Sequence, residues 1–102
     1  MKVLKFGGTS VGTVESIGAV LDIVKKAYDA GERPLVVLSA MSGVTNLLTK
    51  MAENAAERIA FDDDLKFLEE RHFDVVKKLI AVKFQNPVLT KLKLMLNELE
   101  EI

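Results

Sequence analysis

A short stretch near the start of the chain combines a cation, backbone without side chains, and hydroxyl groups. The letters KFGGTSVG begin at Lys5. Gly7 and Gly8 have no Cβ, so a ligand can approach their backbone N–H groups closely. A run of such donors just before a helix N-terminus binds anions. Thr9 and Ser10 add hydroxyl donors and Lys5 adds a positive charge, so the stretch indicates a phosphate-binding site.

The stretch matches neither of two familiar glycine-rich phosphate motifs. The P-loop, GxxxxGK[ST], has its lysine after the glycines, whereas Lys5 precedes them. The dinucleotide fingerprint, GxGxxG, requires a spacing that Gly7, Gly8 and Gly12 do not have. A simpler interpretation is also open, in which Gly7 and Gly8 only permit a tight turn between a strand and a helix.

A second polar stretch, SAMSGVTNLL, begins at Ser39 and also contains Ser42, Thr45 and Asn46. Alone, it is explained by Ser42 or Thr45 capping the N-terminus of a following helix. If both stretches follow neighbouring parallel strands, they leave the sheet at the same edge, where open α/β sheets bind ligands. Together they predict a pocket for a polar ligand.

Two short apolar runs precede these stretches and predict strands. They are VLKF (Val3–Phe6) and LVVLS (Leu35–Ser39). Both are apolar on their two faces, which is typical of central strands in a parallel sheet with helices on both sides.

The segment between the two runs predicts a helix. Its apolar residues recur at spacings of four, three and four, which marks one helical face; they are Ile17, Leu21, Val24 and Tyr28. Thr13 is a suitable N-cap, Gly31 a suitable C′ residue, and Pro34 a stop signal. Strand, helix and strand together predict a βαβ unit with a right-handed crossover.

The remainder predicts three helices, the second beginning at Asp62–Asp64 and the third at Asn86–Pro87. Their apolar stripes are Leu47, Leu48, Met51, Ala52 and Ala55; Leu65, Leu68, His72, Val75 and Leu79; and Val88, Leu92, Met95, Leu99 and Ile102. The fold class is therefore α/β, a βαβ unit followed by a mostly helical segment. Because a sheet of two strands is small and the last helix lacks a C-cap, we expect residues 1–102 to be the N-terminal portion of a larger domain.

Composition excludes several functional classes. Apolar residues make up 49% and charged residues 28% of the 102 residues, which is typical of a globular protein. With 14 basic and 15 acidic residues, the chain has no excess of positive charge with which to bind nucleic-acid phosphates. No apolar run approaches the roughly 20 residues that span a bilayer, and glycines interrupt the N-terminus where a signal peptide would continue. We expect no nucleic-acid or membrane partner, and a soluble, cytoplasmic protein.

Metal and serine-hydrolase chemistry are poorly supported. The chain has no cysteine and one histidine, so a zinc site of Cys or His ligands is excluded. His72 lies on an apolar helical stripe, which favours a packed residue over a catalytic base. The run Asp62–Asp64 is better explained by an exposed helix N-terminus than by a metal site. We therefore predict no metal-ligating residues.

The two polar stretches together resemble the aspartate kinase family of the amino-acid kinase superfamily. KFGGTSVG and VVLSAMSGVTNLL are similar to that family in residue type and order, and the helical remainder, including RHFDVVKKLI, is similar as well. The resemblance covers essentially the whole chain but only about the first quarter of a family member. It implies a three-layer αβα fold, of which this chain holds the N-terminal portion of the catalytic domain. It fits both a single-function kinase and one fused to a homoserine dehydrogenase.

The resemblance also implies an activity and roles for individual residues. The reaction is transfer of a phosphoryl group from ATP, with Mg²⁺, to the side-chain carboxylate of L-aspartate, giving 4-phospho-L-aspartate for lysine, threonine and methionine synthesis. Lys5 would be catalytic and would neutralise charge on the transferring group. Gly7, Gly8 and Ser10 would join Lys5 in binding the ATP phosphates. Contacts to aspartate would come from Ser39 and Thr45.

Three further expectations accompany this interpretation. The 102 residues alone are expected to be inactive, because the family's later segments are missing. An exposed strand edge and apolar helix faces predict association with another copy, a homo-oligomer. Two alternatives stay open: another amino-acid kinase with a different acceptor, and a non-catalytic interaction module with structural glycines.

Overall fold

The computed structural model describes all residues from Met1 to Ile102. The elements are, in order, β1 (Lys2–Phe6), α1 (Val14–Asp29), β2 (Pro34–Leu38), α2 (Val44–Ala56), α3 (Asp62–Leu79) and α4 (Val82–Glu101). This order confirms a βαβ unit followed by helices. The chain divides into two compact units, Met1–Thr45 and Asn46–Ile102, which are described separately. None of the helices is both long and apolar enough to cross a membrane.

The first unit is built on a parallel sheet of two strands, as predicted. β1 and β2 pair in register from Lys2↔Pro34 to Phe6↔Leu38. Each strand begins one residue earlier than the apolar pattern suggested. The ladder continues beyond the paired strands, because the Ser39 N–H donates to the Phe6 carbonyl at 3.2 Å.

Only one face of this sheet is covered within the 102 residues. Leu4, Phe6 and Val36 are half-buried. The opposite face exposes 58% of Val3 and 50% of Leu35. The expectation of helices on both sides is therefore met on one side only, by α1.

Both ends of α1 are closed by the residues that the sequence predicted. At the start, the Ser16 N–H donates to Thr13 Oγ1 at 3.1 Å, and the Thr13 N–H donates to Ser16 Oγ at 3.0 Å. This reciprocal pair is a capping box. At the end, Gly31 adopts φ +77° as the C′ residue of a Schellman motif, in which Glu32 N–H bonds the Ala27 carbonyl at 3.1 Å. Both predicted caps are confirmed.

The buried face of α1 differs from the predicted stripe. Val20 and Ala27 are buried and Ile17 and Val24 half-buried, whereas Leu21 is 49% and Tyr28 73% exposed. Positions 17, 20, 24 and 27 are also helically spaced, so the sequence carries two overlapping stripes. The observed face has the smaller side chains of Val20 and Ala27 in place of Leu21 and Tyr28.

In the second unit, α2 ends without the glycine that usually marks a helix C-terminus. Arg58 occupies the C′ position with φ 58°. Its N–H donates to the Ala55 carbonyl at 3.1 Å, and Ile59 N–H donates to the Asn54 carbonyl at 2.7 Å. This is a Schellman motif with a non-glycine residue in the left-handed region. Met51 is the buried residue of the predicted α2 stripe.

α3 and α4 form a helical hairpin joined by Ile80 and Ala81. α3 begins at Asp62, as predicted, with three aspartates in its first turn. Leu68 of the predicted stripe is buried and the other four stripe residues are half-buried, while Val76, beside the stripe, is also buried. An ion pair between Lys93 and Glu69, at 2.8 Å, links the two helices.

The predicted start of α4 at Asn86–Pro87 is wrong. The helix begins at Val82 and includes Pro87 in its second turn. There the proline removes one hydrogen bond, to the carbonyl of exposed Lys83, which water can replace. Gln85 supports this early start, because its Nε2 donates to the Ile80 carbonyl at 2.8 Å and the Lys77 carbonyl at 3.2 Å.

The apolar stripe of α4 is also shifted. Val88, Leu92 and Leu99 are half-buried as expected, but Met95 is 58% exposed and Leu96 takes its place. Ile102, the last residue of the predicted stripe, lies beyond the helix and is fully exposed.

The C-terminal ends of α1 and α2, at Gly31 and Arg58, give a matched test of backbone strain. Gly31→Ala should lower the free energy of unfolding by about 1 kcal/mol, because the Cβ of alanine is strained in the left-handed region. Arg58→Gly should raise it by about 0.5 kcal/mol, since the relief of strain exceeds the extra entropy of unfolded glycine. Urea unfolding followed by circular dichroism measures both, and changes of the same sign would contradict the assignment.

Candidate functional site

Lys5 lies near the carboxyl end of β1, on the sheet face opposite α1. Lys2 and Leu4 line a cleft with Ile23 of α1, and side chains alternate along a strand, so Lys5 points away from that helix. Its partner in register is Val37. Lys2 forms an ion pair with Glu32 at 3.2 Å, but no carboxylate lies within 4.0 Å of Lys5 Nζ. The ammonium of Lys5 is therefore available to an external anion.

The segment after β1, residues 7–13, is named loop 1 and contains two successive turns. Ser10 N–H donates to the Gly7 carbonyl at 3.1 Å, and Gly12 N–H donates to the Thr9 carbonyl at 3.3 Å. A methyl group placed on Gly7 would meet no atom within 4 Å, and the φ of Gly7 is not left-handed. Neither turn geometry nor packing within the chain accounts for a glycine at this position.

The segment after β2, residues 39–43, is named loop 2 and lies directly beside loop 1. A methyl group on Gly8 would lie 3.7 Å from Ser39 Oγ and 3.9 Å from the Ala40 carbonyl oxygen. The Ser39–Phe6 backbone bond fixes this approach. The expected proximity of the two polar stretches at one edge of the sheet is therefore observed.

Loop 2 turns into α2 through a left-handed glycine. Gly43 has φ +82°, and Val44 N–H donates to the Met41 carbonyl at 3.0 Å. Because α2 begins at Val44, Thr45 is its second residue, and neither Ser42 nor Thr45 directly precedes the helix. Thr45 and Ser39 are both exposed.

The charge around the two loops favours anions. No aspartate or glutamate occurs in residues 1–14 or 33–52, which include both loops and both strands. The N-terminus of α1 contributes less than expected, since the Ser16 N–H is occupied by Thr13 and Glu15 adds a carboxylate in the first turn. The donors for an anion are therefore those of loop 1 and Lys5.

The residues that the sequence assigned to structural roles have them. His72 is half-buried in α3 and its Nδ1 lies 2.8 Å from the Leu68 carbonyl, so this ring N–H donates to the backbone. Asp64 forms an ion pair with Lys50 at 3.3 Å. No group of three or more His, Cys, Asp or Glu side chains is placed to hold a metal ion.

One residue of this region was overlooked by the sequence reasoning. Gly12 served only to reject the dinucleotide fingerprint, yet in the structure it lies against Ser42 of loop 2. No signal in the sequence marks this approach, because residues 12 and 42 are far apart in sequence and the sheet pairing brings their loops together.

The chain is similar to several curated proteins. It is 63% identical to the aspartate kinase of Pseudomonas fluorescens (strain SBW25) over 51 residues, which is 50% of this chain and 12% of that protein. It is 42% identical to the chloroplastic bifunctional aspartokinase/homoserine dehydrogenase 1 of Zea mays over 80 residues, 76% of this chain and 8% of that protein. With the aspartokinase of Chlamydia pneumoniae it shares 39% identity over 89 residues, 86% of this chain and 18% of that protein.

These matches cover only a small part of each relative, 8% to 18% of its length. A family model covers nearly all of this chain, because the description "Amino acid kinase family" matches residues 1–99. Both loops lie within the matched residues. The chain belongs to the amino acid kinase family.

Proposed function

We propose that residues 1–102 are the N-terminal portion of the catalytic domain of an aspartate kinase. The reaction is transfer of the γ-phosphoryl group of ATP to the side-chain carboxylate of L-aspartate, giving 4-phospho-L-aspartate, the first step toward lysine, threonine and methionine. The observation that carries this proposal is Gly7. The space around its Cα is open and its φ is ordinary. Lys5, two residues earlier, has no ion-pair partner, so a phosphate could approach the backbone closely here.

In this proposal the main task of the site is to bring two anions together. The transferring phosphoryl group spreads negative charge over its oxygens, and catalysis depends mostly on positioning and on opposing charge. Lys5 supplies that charge from the rim of the sheet. The N–H groups of Gly7 and Gly8 and the hydroxyl of Ser10 donate hydrogen bonds to the ATP phosphates.

Loop 2 and the start of α2 hold the acceptor. Ser39 and Thr45 are exposed hydroxyl residues, and Ser39 adjoins Gly8 of loop 1. Both would contact aspartate. The aspartate side chain has a pKa of about 3.9 and is ionised at neutral pH, so it attacks without a general base. The packed state of His72 is compatible with this chemistry.

Mg²⁺ would reach the site with ATP. Loops 1 and 2 contain no carboxylate, and Mg²⁺ prefers oxygen ligands with near-octahedral geometry, commonly including substrate phosphates. The chain's own residues therefore fit the phosphates rather than the metal, whose chemistry would be to neutralise phosphate charge.

Three further parts of the proposal concern the protein as a whole. The 102 residues alone are inactive, since the matches span a small part of each relative. The protein is a cytoplasmic homo-oligomer that acts on small molecules and binds neither nucleic acid nor membranes. The exposed sheet face, with Val3 and Leu35 half or more exposed, supports association with further protein.

A chimera tests the activity. The chain would replace the aligned segment of the Chlamydia pneumoniae aspartokinase, and the acyl phosphate would be trapped with hydroxylamine. We expect the chimera to form a hydroxamate from L-aspartate only when ATP is present. The Chlamydia pneumoniae protein without the replaced segment is the negative control. Product with L-glutamate alone would favour another amino-acid kinase. No product with either acid, from a folded chimera, would favour a non-catalytic module.

Removing the charge of Lys5 should abolish most of the turnover. In the chimera, Lys5→Met should lower kcat by a factor of about 100 or more, the usual loss for a pre-organised charge. Lys26→Met, an exposed lysine in the last turn of α1, is the control and should leave kcat unchanged. A Lys5→Met variant within about fivefold of the parent would remove Lys5 from the catalytic role.

Removing the hydroxyl of Thr45 should weaken aspartate binding. Thr45→Val should raise the KM for aspartate about tenfold, the equivalent of one lost hydrogen bond, and leave the KM for ATP nearly unchanged. Thr90→Val, at an exposed position of α4, is the control. Steady-state kinetics with each substrate varied would decide, and an unaltered KM for aspartate would exclude Thr45 from the site.

Gly7→Ala separates a functional glycine from a structural one. Because its methyl group enters open space, the free energy of unfolding should stay the same or rise by up to about 1 kcal/mol. The KM for ATP in the chimera should rise about tenfold, since the methyl group obstructs the phosphate. Gly31→Ala should show the reverse pattern, a less stable chain with unchanged KM. Destabilisation by Gly7→Ala with normal ATP binding would support the structural interpretation.

A further inference from the structure

Gly12 is the most crowded glycine of loop 1. A methyl group placed on it would lie 3.2 Å from the Gly8 carbonyl oxygen and 3.4 Å from that of Thr9, both within loop 1. It would also lie 3.3 Å from the Cβ of Ser42, in loop 2. The distances to Gly8 and Ser42 are tighter than most contacts of a Cβ atom, and the distance to Thr9 lies at the limit of ordinary van der Waals contact. A methyl group would therefore require Gly8 and Ser42 to shift by a few tenths of an ångström.

The contact with Ser42 joins the two loops at a second point. The first point is the edge of the sheet, where Ser39 N–H bonds the Phe6 carbonyl and Gly8 lies beside Ser39. Gly12 lies four residues beyond Gly8, and Ser42 lies three residues beyond Ser39. The separation of loop 1 from loop 2 is thus set at both points by backbone atoms or by the first atom of a side chain, which have little freedom to adjust.

We propose that Gly12 is a positioning residue, whose missing side chain sets the distance between the bound phosphoryl group and the bound acceptor. This inference rests on the proposed function, because loop 1 then holds the phosphates and loop 2 holds the carboxylate. A side chain at position 12 pushes the loops apart while leaving the groups that touch each substrate in place. Each substrate still binds, but the reacting atoms no longer approach correctly.

The expected kinetic signature is a loss of kcat with little change in either KM. In the chimera, Gly12→Ala should lower kcat about threefold and Gly12→Val about 100-fold, the scale of loss for a misplacement near 1 Å. Both KM values should stay within about twofold. Gly31→Ala, at the far end of α1, is the control for lost stability and should retain the parent's kcat.

A double-mutant cycle with Ser42→Gly distinguishes positioning from crowding inside loop 1. Ser42 has a further interaction, so Ser42→Gly alone can change kcat. The double variant is therefore compared with the Ser42→Gly single variant. If Gly12→Val acts by pressing on Ser42, removing that Cβ should restore kcat at least about fivefold relative to additivity. The same pair should be coupled in the urea unfolding midpoint of the 102-residue chain, a measurement that needs no activity.

The outcomes separate this inference from the function on which it rests. Coupling in both kcat and unfolding midpoint supports the positioning role. An active parent chimera with additive effects, or with a Gly12→Val variant of normal kcat, overturns it and leaves the proposed function intact. An inactive, folded parent overturns the proposed function and the positioning role with it. The unfolding cycle would then still report whether residues 12 and 42 touch.

Discussion

The parallel backbone ladder between β1 and β2 is the constraint on which the rest of the site depends. It runs from Lys2↔Pro34 to Phe6↔Leu38 and is extended by the bond from Ser39 to Phe6. Because parallel strands end at the same edge, the chain must leave both strands side by side. Two polar segments about thirty residues apart in sequence thereby become neighbours. Lys5 is carried to the same rim by its place in β1, one residue before the ladder's last pair.

The charge pattern of the first unit follows this geometry. Carboxylates are confined to α1 and the turn after it, from Glu15 to Glu32, whereas the strands and both loops have none. Lys2 is neutralised by Glu32 at the opposite end of β1, and Lys5 has no such partner. Since an ion pair would have to be broken before Lys5 could serve an incoming phosphate, its unpaired state is what a site for anions requires. The self-capped N-terminus of α1 makes loop 1 the principal source of backbone donors.

The sequence predicted features whose causes are local and missed those decided by packing. The caps at Thr13 and Gly31 depend on residues within one turn of each other, and both are confirmed. The buried face of α1 depends on which side chains fit against β2, which periodicity alone does not show. The ring of Pro87 predicts a helix start because it favours the first turn, but the helix tolerates one missing hydrogen bond on an exposed side. Arg58 was missed because a left-handed arginine has no sequence signature.

In the candidate site, too, packing decides features that the sequence does not show, and the glycines are the clearest case. From the sequence, Gly7 is assigned to phosphate approach or a tight turn and Gly31 to a helix C-terminus, and Gly12 has no assigned role. In the structure, Gly31 is required by its φ of +77° and Gly12 by its contacts with Gly8, Thr9 and Ser42. Gly7 is required by neither, since its surroundings are open and its φ is ordinary. A glycine that the packing of these 102 residues does not require, placed beside an unpaired cation, supports the proposed approach of a phosphate. The phosphate interpretation therefore depends more on Gly7 than on the motif that contains it.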